Sequence, residues 1–193
     1  MLTHQRGTTL IEALIAIAII ALLVAAGLPS FAEWLQNTKI RTAAESVQNG
    51  LQIARTEAVK RNATVAFQAT DLNNANWRVC LWDAAAGNCA AGVDLVSSFV
   101  SSDGASDVRI GGSRVATDPI ATPLVGVEIP GRVSFTGFGR LASGGAELMR
   151  IDVTNPKLAA ADQRRLVIQI SAGGQIKMCD PKLKLADNPR GCA

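Results

Sequence analysis

Arg6-Gly7-Thr8-Thr9-Leu10-Ile11-Glu12 leads into the stretch ALIAIAIIALLVAAGLP, Ala13 to Pro29, and this junction decides how the chain is read. From Ala13 to Leu28 no side chain is charged or strongly polar. From Thr8 to Phe31 the apolar run is 24 residues long, with Glu12 as its only charge. As a helix it reaches about 36 Å, more than the ~30 Å hydrocarbon core of a bilayer. A carboxylate inside such a run is an anomaly. At the centre of a membrane helix it costs about 2.5–3.5 kcal/mol, and less near an end. Glu12 either sits solvated at the headgroup boundary or has a partner. If the chain is cut after Gly7, the α-amine freed at Thr8 lies one helical turn from Glu12. That amine can neutralise the carboxylate on the same chain or on a neighbour, and a buried pair of this kind fixes register more than it adds stability.

The run differs from a secretory signal. The basic start is short (His4, Arg6), and the small residue Gly7 precedes the apolar core instead of following it. The core is longer than the roughly 7–15 residues of a signal and ends at Pro29-Ser30 without a small-x-small site. The pattern then continues as a helix. Val47, Leu51, Ala54 and Ala58 recur at helical spacing while Lys39, Arg41, Glu45, Arg55, Glu57 and Lys60 take other faces. An apolar helix thus runs into an amphipathic one. Thr8 to about Arg61 makes one helix of roughly 80 Å, bent near Pro29.

After Asn62 the helical period stops. Strand-type runs appear at Thr64–Phe67, Trp77–Trp82, Val96–Val100, Val125–Ile129, Arg132–Phe135, Leu148–Val153, Arg165–Ile170 and Gln175–Met178. Asp71–Asn74, Gly111-Gly112, Pro130-Gly131, Gly144-Gly145 and Gly173-Gly174 read as turns. Ser171–Gln175 reads as the loop of a C-terminal hairpin. The stretch from Ala84 to Pro123, rich in Ala, Gly, Ser and Asp, reads as variable loops. An antiparallel sheet laid on the Val47–Ala58 face gives an α+β head. Trp77, Val79 and Leu81 share one strand face, Arg78, Cys80 and Trp82 the other, and the tryptophans read as packing residues.

Four cysteines form two local pairs, Cys80 with Cys89 and Cys179 with Cys192, neither at the short spacing of a zinc site. Two local disulfides in an oxidising compartment fit an exported chain, with free buried thiols or another connectivity as the alternative. A Cys179–Cys192 bond would add about 3 kcal/mol by the chain-entropy model and fix the basic loop Lys182–Arg190 at an edge of the head. From Arg164 onward six cations face two anions, while the net charge of the whole chain is only +3.

Gly, a hydroxyl residue, Leu-Ile-Glu, about 16 apolar residues and a proline together resemble the N-terminus of type IV prepilins. That resemblance implies cleavage by a prepilin peptidase between Gly7 and Thr8, N-methylation of Thr8, Glu12 as the residue that aligns neighbouring subunits, and a helix kink at Pro29. One departure is Thr8 itself, since the first mature residue is usually Phe. Ile129–Gly145 and Gly173–Cys192 resemble the head shared by GspH pseudopilins and FimT/FimU minor pilins, and the Cys-Asp-Pro…Arg-Gly-Cys ending is most similar to the FimU type. The implied layout is a leader at 1–7, a transmembrane and filament-core helix at 8–31, its amphipathic half at 32–62 and a β-rich head at 63–193, in the type IV pilin fold.

The resemblance implies a minor pilin at or near the tip of a type IV pilus. It would help prime assembly and join other minor pilins, the major pilin and a tip adhesin. It would pass from the inner membrane of a Gram-negative cell, with its head in the periplasm, to the pilus at the cell surface. Two other functions fit the same pattern. One is a type II secretion pseudopilin. The other is a DNA-binding pilin for natural transformation, with Lys182, Lys184 and Arg190 as contacts. DNA is not favoured, because the Arg-rich ending of such receptors is reduced here to Arg190. Enzyme chemistry has no foothold. His4 is the single histidine, tyrosine is absent, and there is no nucleophile elbow, phosphate loop or HExxH. No catalytic residue, metal or cofactor is expected. If Glu12 aligns subunits, Glu12→Ala chains will enter filaments less well than the unaltered chain when sheared filaments are immunoblotted; equal incorporation would overturn that role.

Overall fold

A computed structural model of the chain describes residues 9–89, 95–115, 122–124, 131–143 and 147–192, apart from the side chains of Ala26 and Pro29. One helix, α1, runs Leu10–Arg61. The chain divides into two units, Met1–Leu35 and Gln36–Ala193.

In the first unit Thr9 precedes the helix and accepts the backbone N–H of Glu12 on its Oγ1 at 3.3 Å, satisfying one of the orphan donors of the first turn. Every described side chain from Thr9 to Leu35 is exposed. No single helix among the described residues is long and apolar enough to cross a membrane; Leu10–Ala25 and Ser30–Arg61 meet that test only as a bent pair. The side chain of Pro29 lies outside the described residues, so the kink assigned to it remains an expectation.

In the second unit the helix carries a buried stripe of Ile40, Ala43, Ala44, Val47, Leu51, Ala54 and Ala58. The stripe is built largely of small residues, which lets a sheet approach closely. At Gly50 a Cβ would come within 2.8 Å of the Trp77 ring. The helix ends in a Schellman-type cap. Asn62 adopts φ 47°, its N–H donates to the Val59 carbonyl at 3.3 Å, and Ala63 N–H donates to the Ala58 carbonyl at 3.2 Å. Lys60 and Arg61 in the last turn favour the carbonyl end of the dipole.

Two sheets share the helix. The first contains β1 (Val65–Asp71), β2 (Asn76–Asp83), β3 (Asn88–Cys89), β4 (Ser97–Phe99) and β6 (Arg132–Phe135). β1 lies between β2 and β6, and β3 and β4 share the far edge of β2. The second contains β5 (Arg109–Ser113), β7 (Arg150–Thr154), β8 (Leu166–Ile170), β9 (Ile176–Lys184) and β10 (Gly191–Cys192), in the order β10-β9-β8-β7-β5. Strand alternation sends Val65, Phe67, Trp77, Val79, Val133 and Phe135 of the first sheet, with Ile151, Val153, Ile168 and Ile170 of the second, into one core with the helix stripe. Trp77 lies 5.3 Å from Phe67 and 6.0 Å from Phe99 between ring centroids. The sheets meet where Glu147, just before β7, pairs beside Arg132 of β6.

The structure departs from the sequence reading in the head. Arg109–Ser113, inside the stretch read as loops, is a strand, and Gly111-Gly112 is not a turn. A Cβ on Gly111 would stand 2.1 Å from the Leu124 carbonyl, so the glycine serves a close backbone crossing. β9 continues past Met178 through Pro181 to Lys184. β10 pairs with β9 in parallel, the one parallel strand pair in an otherwise antiparallel head among the described residues. The strand expected at 125–129 and the turn at Gly144-Gly145 lie outside the described residues.

Leu51 is fully buried at the centre of the stripe. Leu51→Ala is expected to cost about 2–5 kcal/mol in thermal or denaturant melts, whereas Ala at the adjacent exposed Gln52 should stay within about 0.5 kcal/mol.

Candidate assembly surfaces

Three groups of residues outside the core carry the chemistry: the bare half of α1, the disulfide-closed edge, and two buried charge clusters. On α1, fourteen large apolar side chains from Leu10 to Leu35 are exposed, from 43% at Leu35 to 79% at Leu10. The Phe31 and Trp34 rings lie 5.7 Å apart between centroids, tilted by 31°, near the end of the run. Glu12 stands in the first turn and is exposed. Gly7 and Thr8, the expected cleavage and methylation positions, lie outside the described residues.

Cys80 is bonded to Cys89, with Cα atoms 5.6 Å apart, and Cys179 to Cys192, with Cα atoms 5.0 Å apart. The first bond pins the short strand β3 to β2, across a turn in which the Asp83 carboxylate accepts the N–H groups of Ala85 and Ala86 at 2.8 and 3.1 Å. The second folds the chain end back along β9. Asp180 N–H donates to the Arg190 carbonyl at 2.7 Å, and Asn188 N–H donates to the Lys184 carbonyl at 2.9 Å. Gly191 is required there: a Cβ would meet the Leu185 nitrogen at 2.4 Å. Lys182, Lys184 and Arg190 are all exposed on this one closed loop. Lys182 Nζ also donates to the Ala161 carbonyl, which ties the loop to the turn before β8. That turn is held in place by the helix. Asn37 donates to the Asp162 carbonyl at 3.0 Å and accepts the N–H of Arg164 at 2.8 Å, and Asn155 donates to Gln36 Oε1 at 2.9 Å. Beside it Asp107 bridges Lys157 at 2.9 Å and Lys39 at 3.5 Å. The Lys157 hydrogen bond chiefly, with Lys39 assisting, holds the Asp107 carboxyl below its ordinary value. The tie is therefore fully present above the ordinary carboxylate range and lost only as pH falls through the lowered folded value.

Sequence reasoning missed the buried charges. Arg150 and Asp152, alternate residues of β7, are both fully buried on the face opposite Ile151 and Val153. Arg150 Nε and Nη2 donate to the two Asp152 oxygens at 2.7 and 2.9 Å, Arg165 adds a third bond, and Leu124 N–H donates to Asp152 Oδ2 at 3.1 Å. The cluster clamps residues 122–124 over the second sheet. In the first sheet, Arg132 bonds the buried Glu147 at 3.1 Å and lies 4.3 Å from the centre of the half-exposed Trp82 ring. The one signal in the sequence is Arg and Asp in strand alternation with Ile151 and Val153. Among the described residues no group of three or more His, Cys, Asp or Glu is placed to hold a metal ion.

Residues 43–174 match the family described as Type II transport protein GspH, and residues 2–28 match the prokaryotic N-terminal methylation motif. Two crystal forms of the type IV minor pilin FimU of Pseudomonas aeruginosa (strain PAO1) are similar in structure. One has 19% identity and a TM-score of 0.49, covering 75% of this chain and 91% of that one. The other has 18% identity and a TM-score of 0.47, covering 72% and 90%. None of the curated proteins compared matches this chain.

The Cys179–Cys192 bond closes a loop of sequence separation 13. Replacing both cysteines by Ser should lower stability by about 3 kcal/mol. Heat denaturation with and without reductant checks this, and the double variant should no longer respond to the reductant at that bond.

Proposed function

The chain belongs to the GspH family of type II transport proteins, and from that premise we propose that it is a minor pilin placed at or near the tip of a type IV pilus. There it helps start assembly and joins other minor pilins, the major pilin and a tip adhesin. The observation that carries this reading is the fourteen exposed large apolar side chains of Leu10 to Leu35. Leaving each in water forgoes about 1.5–3 kcal/mol, so the set forgoes roughly 20–40 kcal/mol. That exceeds the ~5–15 kcal/mol by which a whole domain is stable. Lipid covers this helix before assembly, and the equivalent helices of neighbours cover it after.

The methylation-motif match over residues 2–28 takes in Gly7, Thr8 and Glu12. It supports processing by a prepilin peptidase between Gly7 and Thr8, methylation of the new amine, and pairing of that amine with Glu12 across subunits. It also supports anchoring in the inner membrane with the head in the periplasm. The helix kink at Pro29 belongs to the same reading, since proline removes a helical hydrogen bond and crowds the preceding turn. The work of such a subunit is structural, not catalytic.

The description of the matched family favours one second reading, a pseudopilin of a type II secretion system. A DNA-binding pilin, with Lys182, Lys184 and Arg190 on phosphates, is the weaker third. Deleting the gene in the producing bacterium separates the first two. A minor pilin that primes assembly leaves cells with few or no surface pili while the major subunit is still made, and secretion continues. A pseudopilin leaves pili intact and traps folded secreted enzymes in the periplasm. Unchanged piliation would overturn the priming role.

A further inference from the structure

We propose that Phe138, on the turn after β6, is an anchor that seats in an apolar, acid-rimmed pocket on the head of a different pilin-type subunit beside this one in the assembly. The inference rests on the assembling-subunit reading and deepens it by naming a contact made by the head itself.

The turn is built to hold one side chain still. Gly139 N–H donates to the Thr136 carbonyl at 2.8 Å and Thr136 N–H to the Arg140 carbonyl at 2.9 Å, which closes a tight turn with Phe138 at its third position. Leu141 bridges back to Phe135, and its N–H donates to the Ala172 carbonyl of the β8–β9 hairpin at 3.1 Å. Close backbone approaches fix the turn against the rest of the head. A Cβ on Gly137 would stand 2.5 Å from Asn62 Oδ1, and one on Gly174 would stand 2.0 Å from the Gly139 carbonyl oxygen. The Arg55 guanidinium donates to that same carbonyl at 3.1 Å. The turn is thus tied to the end of α1 and to the hairpin, yet the ring it carries faces water. Phe138 is 88% exposed, more than any other described large apolar side chain. Val59, which lies 3.1 Å from where a Gly139 Cβ would stand, is 52% exposed beside it.

Area and shape choose the class of occupant. A phenylalanine buries about 150–250 Å². With half of a valine, the patch falls far short of the ~1,200–2,000 Å² of an interface that stands alone. It serves only between chains that another surface already holds together, where high effective concentration replaces affinity. On the proposed function the exposed half of α1 is that other surface. A ring held on a fixed turn suits a pocket of fixed shape, because little ordering remains to be lost on docking. A fluid lipid layer moulds itself to any apolar tip and rewards no such hold. Charge then separates a different subunit from a second copy. Arg55, Lys60, Arg61 and Arg140 flank the ring and are exposed. Glu57, the one carboxylate in 55–61 and 136–140, already pairs with Lys60 at 3.3 Å and Arg61 at 2.7 Å. Patch against patch, the two-fold contact of a homodimer would set these cations against their copies. A pocket with carboxylates on its rim complements them.

The test places a benzophenone photoprobe at position 138 of the full chain in the producing bacterium and identifies the adducts by mass spectrometry after irradiation. The expected adduct joins this chain to the head of another pilin-type subunit, at a peptide whose apolar residues are flanked by Asp or Glu. Arg140→Glu in the same chain should lower the yield at least about threefold, with its melting temperature unchanged as the check on its fold. Asp103→Lys should leave the yield unchanged, because its turn packs beside Thr42, 17 residues or about 25 Å of helix from Val59. Adducts only with lipid, or only with a second copy of this chain, overturn the proposal. So does a chain that enters filaments and gives no adduct above the background of the probe-free chain. An adduct indifferent to Arg140→Glu overturns the acidic rim and with it the stated partner. A chain found in no filament, at the surface or in the periplasm, fails differently, because that result removes the assembling reading itself and this inference with it.

Discussion

One helix has to satisfy two opposite demands, and the rest of the molecule follows from how it does so. From Leu10 to Leu35 its described side chains are all exposed, and apart from Glu12, Ser30 and Glu33 they are apolar or small. From Ile40 to Ala58 it is apolar along one stripe and the chain covers that stripe completely. A helix apolar all round belongs in lipid or in a bundle of equals, whereas a single stripe belongs against a sheet. The small residues of the stripe, with Gly50 under the Trp77 ring, set how closely the sheets can sit. The head is in that sense a cover for the amphipathic half of the helix.

Covering a helix with two sheets creates edges, and the chain closes them with covalent and ionic devices. The Cys80–Cys89 bond fastens β3 onto the outer edge of β2, and the Cys179–Cys192 bond does the same for β10 on β9. Glu147 bridges β6 on the side away from β1, where its carboxylate accepts the Ser134 N–H and the Arg132 guanidinium. Unpaired strand edges invite pairing with other chains. Under the proposed function, a subunit that assembles through its helix gains from edges that cannot pair at random. The Arg150–Asp152–Arg165 cluster holds a crossing segment over the second sheet at the cost of desolvating charge. Replacing one member of such a cluster is far more damaging than its net stabilisation suggests.

What was legible in the sequence is what depends on period and composition. The apolar run, the Val47–Ala58 stripe, the two faces of the Trp77–Trp82 strand and the Ser171–Gln175 hairpin all have a repeat that physics imposes within a few residues. The misses depend on contacts far apart in the chain. Arg109–Ser113 looks like a turn because of its two glycines, and only the passage of Leu124 over Gly111 explains them. The two-residue strands at Cys89 and Cys192 carry no alternation to read, and their strand character follows from where a disulfide holds them. Ile40, Ala43 and Ala44 extend the stripe upstream at the same spacing, but two of the three are alanines, too weakly apolar to stand out beside Lys39 and Arg41. Of the assembly surfaces, the bare helix and its carboxylate were readable. The tie from Asn37 to Arg164 spans 127 positions and was not.

The placement of Glu12 removes the apparent conflict between anchoring and register. A carboxylate is dear at the middle of a bilayer, but Glu12 occupies the third helical position behind Thr9, whose hydroxyl already accepts its N–H. The first turn of a helix presents unsatisfied N–H groups and the positive end of the dipole, both of which favour a negative charge. An end position also keeps the carboxylate near the headgroups, where its cost falls below that at the bilayer centre. On the proposed reading the residue is tolerated in the isolated anchor for the same reason that it would serve an assembly: in sequence it stands four residues, one helical turn, from the proposed new amine of Thr8, at the only charged position between Thr8 and Phe31. Moved two turns deeper, the same carboxylate would lose the dipole and the cap, and with them the proximity to any terminal amine. Under the proposed function its position is therefore constrained from both sides, by the membrane before assembly and by the neighbour after it.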